Sequence, residues 1–221
     1  MKSNRLISLL LAVLLPAVTF AQQERDNDFG IWSSADFSYR FKHHVGDTVS
    51  QRQPSRWSVG LRLEYRTCDL SRKTNLWFVR PSVGFRAAKW LQIALSYDYF
   101  CKATVGQHRA LLDFTESIAR EGLTVSLRER FIVAYAPDSD KWSWLVRPRL
   151  TARYHIGGTR LSPYMAFELY ANRRWTMMHN FAGMGINLGK GSSIDLFYMF
   201  GLNRGTTRQD HIAGIGYGLK L

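Results

Sequence analysis

From Trp57 the chain alternates: Trp57, Val59, Leu61, Leu63 and Tyr65 fall on one parity, and Ser58, Gly60, Arg62, Glu64 and Arg66 on the other. An extended strand here has one apolar and one polar face, because successive side chains point to opposite sides of the backbone. The same period returns over residues 77–85, 91–99, 123–135, 144–154, 161–169, 194–200 and 213–221. It is weaker over 29–41, 108–118 and 175–188, where the faces exchange between Met184 and Gly185. Turn clusters such as Ala136-Pro137-Asp138-Ser139-Asp140, Gly157-Gly158-Thr159 and Gly189-Lys190-Gly191-Ser192 separate these stretches. No helical periodicity competes, so the pattern predicts an all-β protein of antiparallel strands.

Which face is buried decides the architecture. A soluble sandwich or lipocalin-like barrel turns its apolar parity inward. A membrane barrel turns it to lipid, with aromatics at both rims and the polar parity in the lumen. Here aromatics stand at both ends of the apolar face: Trp57 and Tyr65, Trp77 and Phe85, Trp144 and Tyr154. Over the eight clearest strands that face has about forty positions and one charge, Glu129, against ten basic and four acidic side chains on the other. Seven of the eight span 9 to 13 residues, and 194–200 spans seven; the common length matches the ~9 to 11 that cross a bilayer at a tilt. The expectation is an up-and-down transmembrane β-barrel over residues 22–221.

Four residues strain that expectation. Glu129 lies on the lipid parity, where a charge at mid-membrane is costly. Pro81, Pro148 and Pro163 each remove a ladder donor. Eleven strands can be counted, yet bacterial single-chain barrels have even numbers with both termini on the periplasmic side. The expected number is therefore 10 or 12, with 29–41 or 108–118 misassigned.

The N-terminus fixes the expected compartment. Lys2 and Arg5 precede an apolar stretch over 6–18 broken by Ser8 and Pro16, and Thr19-Phe20-Ala21 offers small residues at the peptidase positions. This predicts a signal peptide over 1–21, cleaved after Ala21. The whole chain of 221 residues carries a formal charge of +13. Its mature part keeps 28 basic and 17 acidic residues, net +11. In a soluble protein that surplus would suggest nucleic acid. Here the arginines lie on the inward parity, so no nucleic-acid partner is expected. No phosphate-cradling glycine loop appears, and no His or Cys pair has chelating spacing beside carboxylates.

The inward parity carries the candidate chemistry. Arg62, Glu64, Arg66, Arg80, Arg86, Asp98, Arg128, Arg130, Arg147, Arg149, Arg153, Glu168 and Asp195 are expected to form a charged lumen network. Arginine suits it, since its planar fork binds carboxylates through two parallel hydrogen bonds and stays charged. The network either fills a narrow, largely occluded barrel, or its excess arginine selects anions or seats a phosphorylated or carboxylated ligand. For hydrolysis, Ser96, Asp98 and His108 come nearest to a triad, but Ser96 falls on the lumen parity whereas a lipid substrate needs an outward nucleophile. No catalytic residue, cofactor or metal is expected. The function read here is structural or passive transport; a lipid-acting hydrolase and a soluble periplasmic binding barrel are the alternatives. Cys68 and Cys101 follow strands two apart, so they are expected on one rim, the extracellular one, where a disulfide is topologically allowed, with the short turn at Ala87-Ala88-Lys89 on the periplasmic rim.

The last strand, Gly214-Ile215-Gly216-Tyr217-Gly218-Leu219-Lys220-Leu221, looks like the signal read by the barrel assembly machinery, with Leu219 and Leu221 on the lipid side beside Tyr217 and Gly216 at the glycine position. Further motifs are Asp28-Phe29-Gly30-Ile31-Trp32, Leu161-Ser162-Pro163-Tyr164 followed by Glu168, Ser193-Ile194-Asp195-Leu196-Phe197-Tyr198 and His211-Ile212-Ala213-Gly214. Through them the chain after the signal resembles the bacterial outer-membrane family called domain of unknown function 2490, common in Bacteroidetes. The resemblance implies a barrel in a Gram-negative outer membrane, in contact with lipid and lipopolysaccharide, and it implies no activity. A monomer is expected.

Overall fold

The structure is a computed structural model, described for residues 27–44, 52–102, 105–204 and 209–221. The signal peptide expected over 1–21 lies outside the described residues. Twelve strands follow in chain order: β1 Asn27–His44, β2 Arg52–Cys68, β3 Lys73–Arg86, β4 Leu91–Lys102, β5 Val105–Arg120, β6 Leu123–Ala136, β7 Lys141–Val146, β8 Arg149–Tyr154, β9 Leu161–Ala171, β10 Trp175–Gly189, β11 Ser192–Asn203 and β12 Gln209–Lys220. Each pairs antiparallel with the next, save that β7 and β8 both lie between β6 and β9. They are one stave interrupted at Arg147 and Pro148, since the register on β6 runs unbroken from Phe131↔Val146 to Arg128↔Arg149. The barrel thus has eleven staves, and β1 closes it on β12.

This corrects the expected 10 or 12. Both doubtful stretches, 29–41 and 108–118, are real staves, in β1 and β5. An odd number is accommodated because β1 and β12 pair in parallel, from Asn27↔Gln209 to Ser38↔Lys220. Parallel pairing puts the start of β1 and the end of β12 on opposite rims, not on one. We call these the N rim, where β1 begins, and the C rim, where β12 ends. Leu221 seals the seam: its N–H donates to Ser38 O at 2.8 Å, and its carbonyl accepts from Arg40 N at 3.2 Å.

The apolar parity faces outward. Trp57, Leu61, Tyr65, Val83, Leu95, Val133, Leu150, Tyr198 and Ile215 are exposed, and the buried carboxylates Glu64, Asp98 and Glu168 stand inside. On the outer wall Tyr65, Trp77, Tyr99, Trp144 and Tyr198 lie toward the N rim. Phe37, Tyr39, Trp57, Phe85, Tyr154 and Tyr217 lie toward the C rim. The band between is mostly aliphatic, with Leu61, Val83, Leu95 and Leu150, but it also holds Tyr97, Phe131, Phe167 and Glu129. Trp57 and Tyr65 are separated by roughly 27 Å along β2 at 3.4 Å per residue.

The three prolines that strained the sequence reading find their places, whereas Glu129 keeps its position on the outward face in mid-stave. Pro148 sits in the break between β7 and β8, and its carbonyl still accepts from Leu169 N at 3.0 Å. Pro81 falls where the ladder between β3 and β4 skips from Val79↔Tyr99 to Ser82↔Ser96. Pro163 lies beyond Arg153↔Tyr164, where the ladder of β8 on β9 ends. Glu129 is exposed on the outer wall, opposite Phe114. The faces of β10 do not exchange near Met184: His179, Phe181, Gly183, Gly185 and Asn187 keep one parity through the ladder with β11.

Candidate functional site

The inward residues are graded along the barrel axis. Toward the N rim they are bulky and apolar: Leu76 on β3, Phe100 on β4, Leu111 on β5, Ile132 on β6, Met199 on β11 and Ile212 on β12, all buried. At mid-height come the arginines and carboxylates. Toward the C rim they are small: Ser34 and Ser38, Ser58 and Gly60, Ser82 and Gly84, Ser96, Ser126, Ser162, Ser193, Gly216 and Gly218. The consequence is a cup. A cavity of about 1020 Å³ occupies the C-rim half, reaching from Trp32, Phe78 and Arg80 to Lys190, Gly191 and Lys220.

The mid-height charges are largely paired. Arg80 holds Asp98 through two hydrogen bonds, Nη2 to Oδ2 at 2.8 Å and Nε to Oδ1. Arg130 holds Asp113 likewise, at 2.7 and 2.6 Å. Both pairs are buried, and this fork-to-fork geometry is what offsets the desolvation of two charges. Glu64 lies between its same-face neighbours Arg62 and Arg66 on β2 and binds both. Arg62 also reaches Asp36 on β1 at 3.1 Å. Glu168 on β9 accepts from Arg128 at 2.6 Å and from Arg147 at 2.9 Å. Nearer the mouth Arg153 meets Asp195 at 3.0 Å. That pair crosses β10 at Gly185, where a Cβ would collide with Arg153.

Arginine also stacks on rings. Arg66 lies 3.5 Å over Trp32, Arg149 4.3 Å over Phe181, and Arg153 4.3 Å over Tyr164. Such contacts hold guanidinium groups flat against the wall and contribute about 0.5–2 kcal/mol each. Tyr164 and Phe197 lie against Gly183 and Gly214 on neighbouring staves, so these glycines make room for the rings.

The structure brings together Arg62, Glu64, Arg66, Arg80, Asp98, Arg128, Arg130, Arg147, Arg153, Glu168 and Asp195 as ion pairs in one lumen. Arg149 lines the cavity but makes no ion pair among the described residues. Arg86 stands apart, exposed at the C-rim end of β3 opposite Gln92. The sequence reading missed Asp36 and Asp113. Both sit on the inward parity of the two staves whose existence it doubted, so the alternation itself was the available signal.

Ser96, Asp98 and His108 do not meet. Ser96 and Asp98 are buried inside, with Asp98 on Arg80, while His108 faces Tyr97 on the outer wall, its Nδ1 at 2.6 Å from the phenol oxygen. A histidine–serine contact does occur on the C rim, His155 Nδ1 to Ser162 Oγ at 3.2 Å, but no carboxylate orients His155 among the described residues. No group of three or more His, Cys, Asp or Glu side chains suited to a metal occurs among the described residues. Cys68 ends β2 opposite Lys73, and Cys101 lies on β4 opposite Trp77. They share the N rim and are not bridged to each other.

Residues 29–211 match the family described as "Protein of unknown function (DUF2490)", and the chain belongs to that family. No curated protein and no solved structure matches the chain.

Proposed function

We propose that this DUF2490 barrel spans the outer membrane of a Gram-negative bacterium, after export and cleavage behind Ala21, as a monomer without enzymatic activity. The observation that carries this reading is the outer wall: exposed apolar side chains around the barrel, bounded by aromatic residues at two heights. A soluble protein rarely leaves contiguous apolar patches beyond a few hundred Å² in water. A spanning barrel presents an apolar band about 25 Å tall between two aromatic girdles. Phospholipid and lipopolysaccharide then cover the wall, and the barrel assembly machinery would read the strand ending in Tyr217, Leu219 and Leu221. With the C-terminal end of β12 periplasmic, the C rim opens to the periplasm. The N rim, with Cys68, Cys101 and the turn over 69–72, then faces outside.

The cup supports a passive role closed to bulk flow: apolar side chains fill the lumen toward the N rim, and ion pairs cross it at mid-height. Membrane fractionation tests the location. The protein is expected in the carbonate-washed outer-membrane fraction, needing detergent for extraction and migrating differently before and after boiling. A monodisperse protein in buffer without detergent would overturn it and favour a periplasmic binding barrel. Release of fatty acid from phospholipid or lipopolysaccharide by purified protein would overturn the non-enzymatic part.

A further inference from the structure

Glu168 faces more guanidinium than it can neutralise. Arg128 and Arg147 each bind one of its oxygens. Arg149 stands directly opposite Glu168 on β9 and directly opposite Arg128 on β6, so two like charges share a cross-strand position, which is unfavourable without a counter-charge. Arg149 feels the charge of Glu168 across the ladder but makes no hydrogen bond or ion pair to a carboxylate among the described residues, and the Nε of Arg128 and of Arg147 are buried without a hydrogen-bond acceptor among them. The same excess holds across the cavity, which, among the described residues, eight arginines line against five carboxylates. Asp98, behind Arg80, adds one more negative charge, leaving the arginines in surplus.

The wall beside Arg149 is aromatic. Trp32, Phe181 and Phe197 pack with ring centroids 5.8–6.3 Å apart. The indole Nε1 of Trp32, a residue only 8% exposed, has no acceptor among the described residues. Lys190 and Lys220 stand exposed at the mouth, where a basic funnel raises the local concentration of anions. A volume of about 1020 Å³ sits at the upper end of ordinary small-molecule sites.

We infer that the cup binds a small organic anion: its carboxylate or phosphate oxygens take the fork of Arg149, and its flat apolar body lies along the Trp32, Phe181 and Phe197 side. This rests on the proposed reading of the cup as open to the periplasm. The anion supplies the negative charge that Glu168 cannot, and Arg149, already flattened on Phe181, is oriented to receive it. Arginine at such a site is not replaceable by lysine, which offers a point charge instead of a planar fork.

Calorimetric titration of the detergent-solubilised protein with benzoate, phenyl phosphate, inorganic phosphate and benzyl alcohol tests this. Saturable binding of benzoate or phenyl phosphate is expected, with inorganic phosphate weaker and benzyl alcohol without binding. The preferred aromatic probe shows whether the head is carboxylate or phosphate. Arg149→Gln should weaken binding at least tenfold, Arg149→Lys several-fold, and Arg86→Gln should leave it unchanged. Absence of anion binding to heat-modifiable, folded protein overturns the inference, as does an Arg149→Gln variant that binds like the parent. Should neither Arg149 variant fold, the parent decides: affinity for the aromatic anion must fall as sodium chloride rises, and equal binding of benzyl alcohol overturns the site. A protein that binds these anions yet needs no detergent removes the membrane location and keeps the site. A detergent-dependent barrel that binds none does the reverse.

Discussion

The two halves of the lumen are made from the same staves and the same inward parity, yet one is packed and the other is hollow. Toward the N rim the inward residues Leu76, Phe100, Leu111, Ile132, Met199 and Ile212 are bulky and buried, and Leu111 and Met199 are 1% and 0% exposed. Toward the C rim the corresponding positions hold serine and glycine, and a cavity remains. Side-chain volume at inward positions, not stave number, therefore separates the packed half from the hollow one. The ion pairs divide along the same line. Arg80–Asp98 and Arg130–Asp113 are buried, whereas Arg153 and Asp195 are each 37% exposed in their side chains.

The largest expected effect comes from breaking a buried pair at mid-height, where the packed half begins. Asp98→Asn leaves Arg80 buried opposite a neutral amide, a change of about 3–5 kcal/mol. The folded, heat-modifiable band should then be lost at a much lower temperature; an unchanged transition would show that the buried pair is not essential to the closed half. Opening the plug comes next. Met199→Ala or Phe100→Ala should cost about 2–5 kcal/mol, and single-channel recordings in planar bilayers should show conductance rising from a low parental level. The same recordings check the surplus of inward arginine, since any current through the parent or variants should favour anions.

Filling the hollow half reverses the sign on volume. A Cβ on Gly183 would lie 2.6 Å from the Tyr164 ring, so Gly183→Val should push that ring into the cup, lower probe entry and cost about 1–3 kcal/mol by overpacking. The smallest expected effect is on the solvated pair: Asp195→Asn should change stability by less than about 1 kcal/mol, with a thermal transition close to the parent's at 0.5 M salt. A loss equal to that of Asp98→Asn would erase the distinction between the halves.

Much of this was legible along the chain. Because side chains alternate with a period of two, the outward and inward faces of β2, β3, β4, β6 and β9 follow from sequence alone. So does the inward placement of Arg62, Glu64, Arg80, Asp98 and Glu168. The grading of the lumen was also written there, in Ser34 against Trp32 and Ser96 against Phe100, but it becomes a cup only when all staves are set side by side. Doubt over β1 and β5 hid Asp36 and Asp113, and with them the partner of Arg130.

The alternation by itself determined the all-β class, the apolar outer wall and the charged interior, since these depend on nothing beyond each stave's own backbone. Tertiary structure decided the rest. Eleven staves could close only once β1 lay parallel to β12, a pairing between segments about 180 residues apart in sequence for which no local pattern exists. Register then chose the partners: it set Asp98 across from Arg80 and Asp113 across from Arg130, and it set Arg149 between Arg128 and Glu168, a carboxylate whose two oxygens two other arginines already bind. A charge's sign and face are local properties. Whether it is neutralised depends on its neighbour across the ladder, and that is fixed only when the barrel closes.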